Sequence, residues 1–186
     1  EGFWHVLLHP DTRRHVGFRV GSRIFRSRVM VFGLSVAPQV FTRLLQPVME
    51  RLHRLGVRIF SYLDDFLVLA KTRELCRLHT QLCLDLFKRL GLLVNLDKSY
   101  LDPSQSVIFL GFRWSTRKSV LRLSIPHDKL RSLQKNAKGV LARNSGGSLT
   151  IRHTACLLGK LTSLLPASQM ARFRRAPLAR LVARAV

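Results

Sequence analysis

Short apolar runs broken by turn residues open the chain, and longer helical periodicities follow. Residues 3–8 and 16–20 predict short strands, with His9-Pro10-Asp11 as the turn between them. Residues 23–31 alternate basic and apolar positions, the pattern of a half-exposed strand with Arg on one face. Phe32-Gly33-Leu34-Ser35 breaks that pattern ahead of Pro38, a residue tolerated at the start of a helix. Val40, Phe41, Leu44, Leu45, Val48, Met49, Leu52 and Leu55 then recur with the 3.6-residue period. This helix should end at Gly56 and bend at Pro47. The apolar runs 57–60 and 66–70 read as two strands, which places Tyr62-Leu63-Asp64-Asp65 at or next to a hairpin turn. A second helix is predicted from an N-cap at Thr72 to Gly91, with Leu75, Cys76, Leu82, Cys83, Leu86, Phe87 and Leu90 on one face. Residues 92–96 and 107–112 predict strands around the turn-rich Asp102-Pro103-Ser104. Residues 128–141 and 150–165 predict helices separated by Asn144-Ser145-Gly146-Gly147. The fold class expected is α+β, a mixed core followed by an all-helical tail.

Composition sharpens this picture. A chain of 186 residues with 47% hydrophobic content can bury a core as one domain or two small subdomains. No apolar run approaches the ~20 residues of a membrane span. No secretory pattern opens the chain. The expectation is therefore an intracellular protein, cytoplasmic or nuclear, neither secreted nor in a membrane. The start at Glu1, without Met and inside an expected strand, points to a fragment of something longer. Lys and Arg total 32 against 10 Asp and Glu, a net charge of +22, so the expected partner is a polyanion and most commonly nucleic acid. The basic residues alternate with apolar ones along folded elements, which fits a groove that tracks a nucleic-acid backbone. A ribosomal-type structural binder and a membrane-surface binder are the competing readings. Cys76, Cys83 and Cys156 lack the spacing of a zinc site or a disulfide framework, and the seven His are scattered, so no transition-metal site is expected.

With so few acids, the adjacent pair Asp64-Asp65 between two apolar runs stands out. A polar hairpin tip is one reading, because Asp tolerates turn geometry. The other is a Mg²⁺ site for phosphoryl chemistry, since Mg²⁺ takes one or two carboxylates plus substrate phosphate oxygens. Successive strand residues point to opposite faces, so one Asp would be the main ligand and a partner carboxylate would come from elsewhere.

Five patterns stand in one order: Phe3-Trp4-His5-Val6; Phe32-Gly33-Leu34-Ser35-Val36-Ala37-Pro38-Gln39-Val40-Phe41; Tyr62-Leu63-Asp64-Asp65; the run Leu90-Gly91-Leu92-Leu93-Val94-Asn95-Leu96-Asp97-Lys98-Ser99; and Phe109-Leu110-Gly111-Phe112. Together they resemble the palm of a retroelement reverse transcriptase, an RNA-directed DNA polymerase, over roughly the first 115 residues. His5-Val6 with His9-Pro10, and Lys98-Ser99 with Pro103-Ser104-Gln105, are most similar to the Ty3-like and DIRS-like retrotransposon enzymes. The resemblance implies a right-hand palm over residues 1–118, an antiparallel sheet with helices packed on one face. A helical thumb or connection region would follow over 119–186. It implies Mg²⁺-dependent transfer of a dNTP to a primer 3′-hydroxyl on an RNA template with a DNA primer. Asp64 would be the principal ligand of a two-metal site, with Asp65 its close neighbour. Phe3 would be the steric gate against a ribose 2′-hydroxyl. Phe32 and Gly33 would lie at the nucleotide, where a backbone without a side chain permits close approach. Lys98 would sit near the triphosphate, as proton donor to the leaving pyrophosphate or as charge stabiliser. Phe109, Leu110, Gly111 and Phe112 would form the primer grip.

The departures from the family pattern carry their own expectations. The family's first catalytic Asp would fall just upstream of Glu1, leaving one metal ligand missing from this chain, and Glu1 would take a position where Asp is usual. Leu7 and Val31 occupy positions where relatives often carry Pro. The fragment alone is therefore expected to polymerise poorly. Asp128 is the last acidic residue, so the tail cannot build an RNase H carboxylate set. Residues 129–138 and 172–184 would lay a basic face on the duplex. The alternative reading is a catalytically dead or domesticated remnant that keeps the fold and the charge and only binds nucleic acid.

Overall fold

The hydrophobic stripe of the first long helix organises the N-terminal part of the protein. The computed structural model describes residues 2–117, 120–147 and 149–184, with the backbone alone at 169, 171, 172, 174, 181 and 184. Glu1, the expected 118/119 domain boundary, and the Arg172, Arg174 and Arg184 side chains of the expected basic tail face lie outside the described residues. The chain divides into two compact units, Glu1–Ser104 and Gln105–Val186.

In the first unit, helix α1 (Ala37–Arg54) carries Pro38 in its first turn and buries Ala37, Phe41, Leu45, Met49 and Leu52. This stripe is narrower than the expected face, and Val40, Leu44 and Leu55 are exposed. Hairpin β1 (Gly17–Val20) and β2 (Arg23–Arg26) pairs antiparallel, every residue exposed. Strands β3 (Arg58–Tyr62) and β4 (Asp65–Leu69) form a second hairpin in register from Arg58↔Leu69 to Tyr62↔Asp65. Helix α2 (Arg73–Arg89) begins where the Thr72 hydroxyl accepts the Leu75 amide at 3.2 Å, the cap expected from the sequence. One core cluster joins Met49, Leu52, Val57, Ile59, Cys83 and Phe87; another joins Met30, Ala37, Phe41 and Leu45. Phe66 and Leu92 pack against both clusters. Arg73 and Arg77 clamp the Asp102 carboxylate at 2.8 and 3.0 Å and tie α2 to the following turn. That pairing holds the Asp102 carboxyl below its ordinary range, the Arg77 hydrogen bond being the largest cause.

In the second unit, β5 (Ser106–Phe109), β6 (Phe112–Ser115) and β7 (Arg122–Ser124) form a three-stranded antiparallel sheet. Helices α3 (His127–Ser145), α4 (Ile151–Thr162) and α5 (Gln169–Arg184) follow. Strand β5 pairs with β6, and β6 with β7.

Several expected elements differ. Residues 3–8 were expected to be a strand; instead Gly2–His5 is a 3₁₀ turn, and only Leu7 pairs, in an isolated antiparallel bridge to Val29. The turn draws Phe3 onto the Phe41 ring, 5.7 Å between centroids, an inward packing that alternation cannot signal. The expected turn at His9-Pro10-Asp11 instead opens a longer 3₁₀ segment, Pro10–His15, with His9 at its N-cap. The strand expected over 23–31 stops at Arg26. Residues 92–96 form no strand and lead into the 3₁₀ turn Leu96–Lys98, which the Asn95 side chain caps. With both segments outside any ladder, the described strands make three separate antiparallel sheets and not one. The class remains α+β. No described helix is long and apolar enough to cross a membrane.

Candidate active site

The register Tyr62↔Asp65 leaves Leu63 and Asp64 as a two-residue hairpin loop, with Asp65 as the first residue of β4. Both carboxylate residues are exposed. The positive φ of this turn falls on Leu63, at 54°, and not on an Asp. Positive φ at the first central position alone is the type II′ pattern, which matches the twist of the flanking strands and ordinarily selects Gly. Leu there is strained by about 1–2 kcal/mol. Leu110, at φ 51°, is the other described non-Gly residue with positive φ, and it too lies in an expected site turn. Phe66, directly after Asp65, meets Phe87 in a tilted pair with centroids 5.0 Å apart and packs on both core clusters, which anchors the base of the carboxylate turn.

Phe3 and Phe32, far apart in sequence, come together with centroids 5.3 Å apart, and Phe3 meets Phe41 edge-on. Gly2 permits this approach, because a Cβ there would lie 2.5 Å from the Phe41 Cζ. Phe32 is 60% exposed, so the pair offers an aromatic surface with one anchored and one open ring. Gly33 beside it has φ 92°, and nothing lies within 4 Å of an added Cβ. The backbone conformation demands glycine there, and the space above it is open.

Lys98 is exposed at the end of the 3₁₀ turn, its amide donating to Asn95 Oδ1 at 3.1 Å. The segment before it is fastened to the N-terminal turn by His5, whose Nε2 accepts the Leu93 amide at 3.0 Å while Nδ1 meets the Gly2 carbonyl at 3.1 Å. A carbonyl only accepts and an amide only donates, so these contacts fix the neutral Nδ1–H tautomer. The sequence marked His5 as part of a motif but not as this tie.

In the second unit, Phe109 and Phe112 close the β5–β6 hairpin and leave Leu110-Gly111 as its loop, φ 51° and 75°. Two positive φ values are the type I′ pattern. Trp114 Nε1–H donates to the Phe109 carbonyl at 3.1 Å and braces the hairpin. Lys129 Nζ lies 4.4 Å over the Phe112 ring, a cation–π contact that periodicity along α3 did not reveal.

Among the described residues no group of three or more His, Cys, Asp or Glu could hold a metal ion. The donor set that does exist, two exposed carboxylates at one hairpin tip, suits Mg²⁺, which keeps waters and phosphate oxygens beside one or two carboxylates. It does not suit a zinc-type site.

The sequence profile described as reverse transcriptase (RNA-dependent DNA polymerase) matches residues 1–114. The genome polyprotein of Petunia vein clearing virus (isolate Shepherd) is 32% identical over 115 residues, 60% of this chain and 5% of the viral protein. Polyprotein P3 of Commelina yellow mottle virus is 31% identical over 111 residues, 60% of this chain and 6% of that protein. Protein P of Duck hepatitis B virus (strain United States/DHBV-16) is 28% identical over 117 residues, 61% of this chain and 14% of that protein. The chain thus spans a small part of the length of these relatives.

Proposed function

Because the chain belongs to the reverse transcriptase (RNA-dependent DNA polymerase) family, we propose that it carries the palm and the start of the thumb of a retrotransposon polymerase that adds dNTPs to a DNA primer on an RNA template. The observation that carries this reading is the strained Tyr62-Leu63-Asp64-Asp65 turn, which presents two exposed carboxylates on an anchored hairpin. Strain of this kind concentrates at functional sites and persists when the surrounding packing over-determines it. Asp64, with Asp65 beside it, would hold Mg²⁺, which when bound neutralises phosphate charge and lowers the barrier to phosphoryl transfer.

The chain's own residues divide the remaining work. The Phe3 ring, held by Phe41, stands as a wall against a 2′-hydroxyl, and the open Phe32 face extends it. Gly33 leaves its backbone approachable by a nucleotide. Lys98 brings a positive charge toward the triphosphate, as proton donor or as charge stabiliser. The Phe109–Phe112 turn receives the primer end. Arg and Lys on exposed elements hold template and primer by their phosphates without reading sequence. The DIRS-like or Ty3-like origin rests on the short residue matches of the sequence alone.

The test is substrate choice. Phe3→Ala should relax preference for dNTP over rNTP by about tenfold or more, the scale of one lost contact in a discriminating pocket. Unchanged preference in a folded variant would remove Phe3 from the site.

A further inference from the structure

His5 joins the N-terminal turn to the Lys98 segment by a hydrogen bond that spans 88 residues within the first compact unit. Its Nδ1–H donates to the Gly2 carbonyl at 3.1 Å, which leaves Nε2 as an acceptor for the Leu93 amide at 3.0 Å. The ring is half-buried, whereas the Leu93 side chain is 85% exposed and anchors nothing itself. Its neighbours Leu92 and Val94 do pack inward. Apolar contacts are non-directional, so they do not by themselves orient the peptide plane at Leu93. The His5 bond is directional and does.

From that fixed point a braced turn reaches Lys98. Asn95 Oδ1 accepts the Lys98 amide at 3.1 Å, the Ser99 hydroxyl donates to the Asn95 carbonyl at 2.6 Å, and the Ser99 amide donates to the Leu96 carbonyl at 3.0 Å. Bonded in this way the turn moves as one piece, so a displacement at Leu93 is carried to Lys98. At the other end, the His5–Gly2 bond braces the turn whose Phe3 ring meets Phe41 and Phe32. A simpler role is plain stability, one more hydrogen bond in a part-buried place. It does not explain why both ends of the bond lie at turns that carry expected site residues, with the Leu93 side chain turned to solvent.

We infer that His5 is a positioning residue: through the Leu93 amide it holds the Lys98 turn in the place, relative to the Phe3 turn, that nucleotide addition requires. The kinetic half of that statement rests on the polymerase reading above; the tie itself does not. His5 touches no reacting atom and acts through Lys98.

The test pairs two substitutions, with circular dichroism to establish that each variant is folded. The Gln amide oxygen falls near the place of Nε2, so His5→Gln can still accept the Leu93 amide. The Asn amide nitrogen falls near the place of Nδ1, so His5→Asn can still donate to Gly2 but cannot reach Leu93. The first readout is hydrogen exchange at the Leu93 amide, followed by NMR on the isotopically labelled chain. Exchange should be slowed about tenfold or more in the unsubstituted chain and in His5→Gln, and lose that protection in His5→Asn. The second readout is steady-state dNTP incorporation by the version carrying the upstream Asp. There His5→Asn should lower kcat and kcat/KM together, by about tenfold to a hundredfold, and His5→Gln should keep the rate. Preference for dNTP over rNTP should not change, because Gly2 and Phe41 still hold Phe3. In a Lys98→Ala background His5→Asn should add little, since the two act through one group.

An unprotected Leu93 amide in the unsubstituted chain would overturn the tie without any variant. Protection lost in His5→Asn with kcat unchanged, or a full further loss in the Lys98→Ala background, would overturn the positioning role and leave a structural bond. No incorporation by the unsubstituted longer version would refute the polymerase reading and the kinetic half with it, while Leu93 exchange still decides the tie.

Discussion

Leu63 and Leu110 allow a test in which two substitutions at one position must reverse their usual order. At an ordinary backbone position, Ala is more stable than Gly by about 0.5–1 kcal/mol, because Gly loses more freedom on folding. Positive φ costs an L-residue about 1–2 kcal/mol and costs Gly nothing comparable. With φ at 54° and 51°, the second effect should win, so Leu63→Gly should exceed Leu63→Ala in stability by about 0.5–1 kcal/mol, and likewise at Leu110. Both variants lose the same leucine contacts, so those cancel in the comparison. For a chain of 186 residues the difference corresponds to about 1–4 °C in Tm. Thermal and urea melts by circular dichroism measure it, and the two positions lie in different compact units. Ala more stable than Gly at Leu63 would refute the strained turn and the placement of Asp64 that depends on it.

Three further outcomes follow from the packing. Leu52 is fully buried, so Leu52→Ala should lower stability by about 2–5 kcal/mol in urea melts, and a loss under 1 kcal/mol would contradict the cluster. His79 is buried on α2, and its Nδ1 has no hydrogen-bond partner among the described residues. His79→Leu should therefore raise stability by about 1–2 kcal/mol, whereas a clear loss would reveal a partner for that nitrogen. Burial pushes the Cys83 thiol up to about 11 from an ordinary value near 9, which lowers its thiolate fraction about a hundredfold at neutral pH. Mass-resolved alkylation should modify exposed Cys156 first and Cys83 only on unfolding. Because the folded value is the higher one, this thiol's contribution to stability is complete below pH 9 and declines as pH rises toward 11. Early labelling of Cys83 would contradict its burial.

The helices were legible because their signals are local and periodic: the 3.6-residue stripe from Phe41 to Leu52, the Thr72 cap, and the Gly56 and Gly91 stops. The Asp64-Asp65 hairpin was legible because two β-type runs bracket a short polar break. The 3₁₀ turn at Gly2–His5 was not, since its apolar residues are drawn inward by Phe41 and not by a strand partner. Residues 92–96 misled for a related reason: Leu92 is pinned by two cores and the Leu93 amide by His5, so apolar content there reflects anchoring and not a ladder. Strand β7 escaped although Leu121-Arg122-Leu123-Ser124-Ile125 alternates, because the strand itself is only three residues long and ends just before Pro126. Among the site residues, the Phe3–Phe32 approach and the Lys129–Phe112 contact join distant positions, which periodicity cannot announce.

The most direct measurement is Mg²⁺-dependent dNTP incorporation on an RNA template with a DNA primer. It is run on this chain and on a version carrying the family's upstream Asp, each with and without Asp64→Asn. The predicted result is little incorporation by the chain alone, clear incorporation by the longer version, and its loss on Asp64→Asn. Incorporation that survives Asp64→Asn would contradict the assignment of Asp64, and none in either version, despite tight salt-sensitive binding to the same duplex, would leave a folded nucleic-acid-binding remnant.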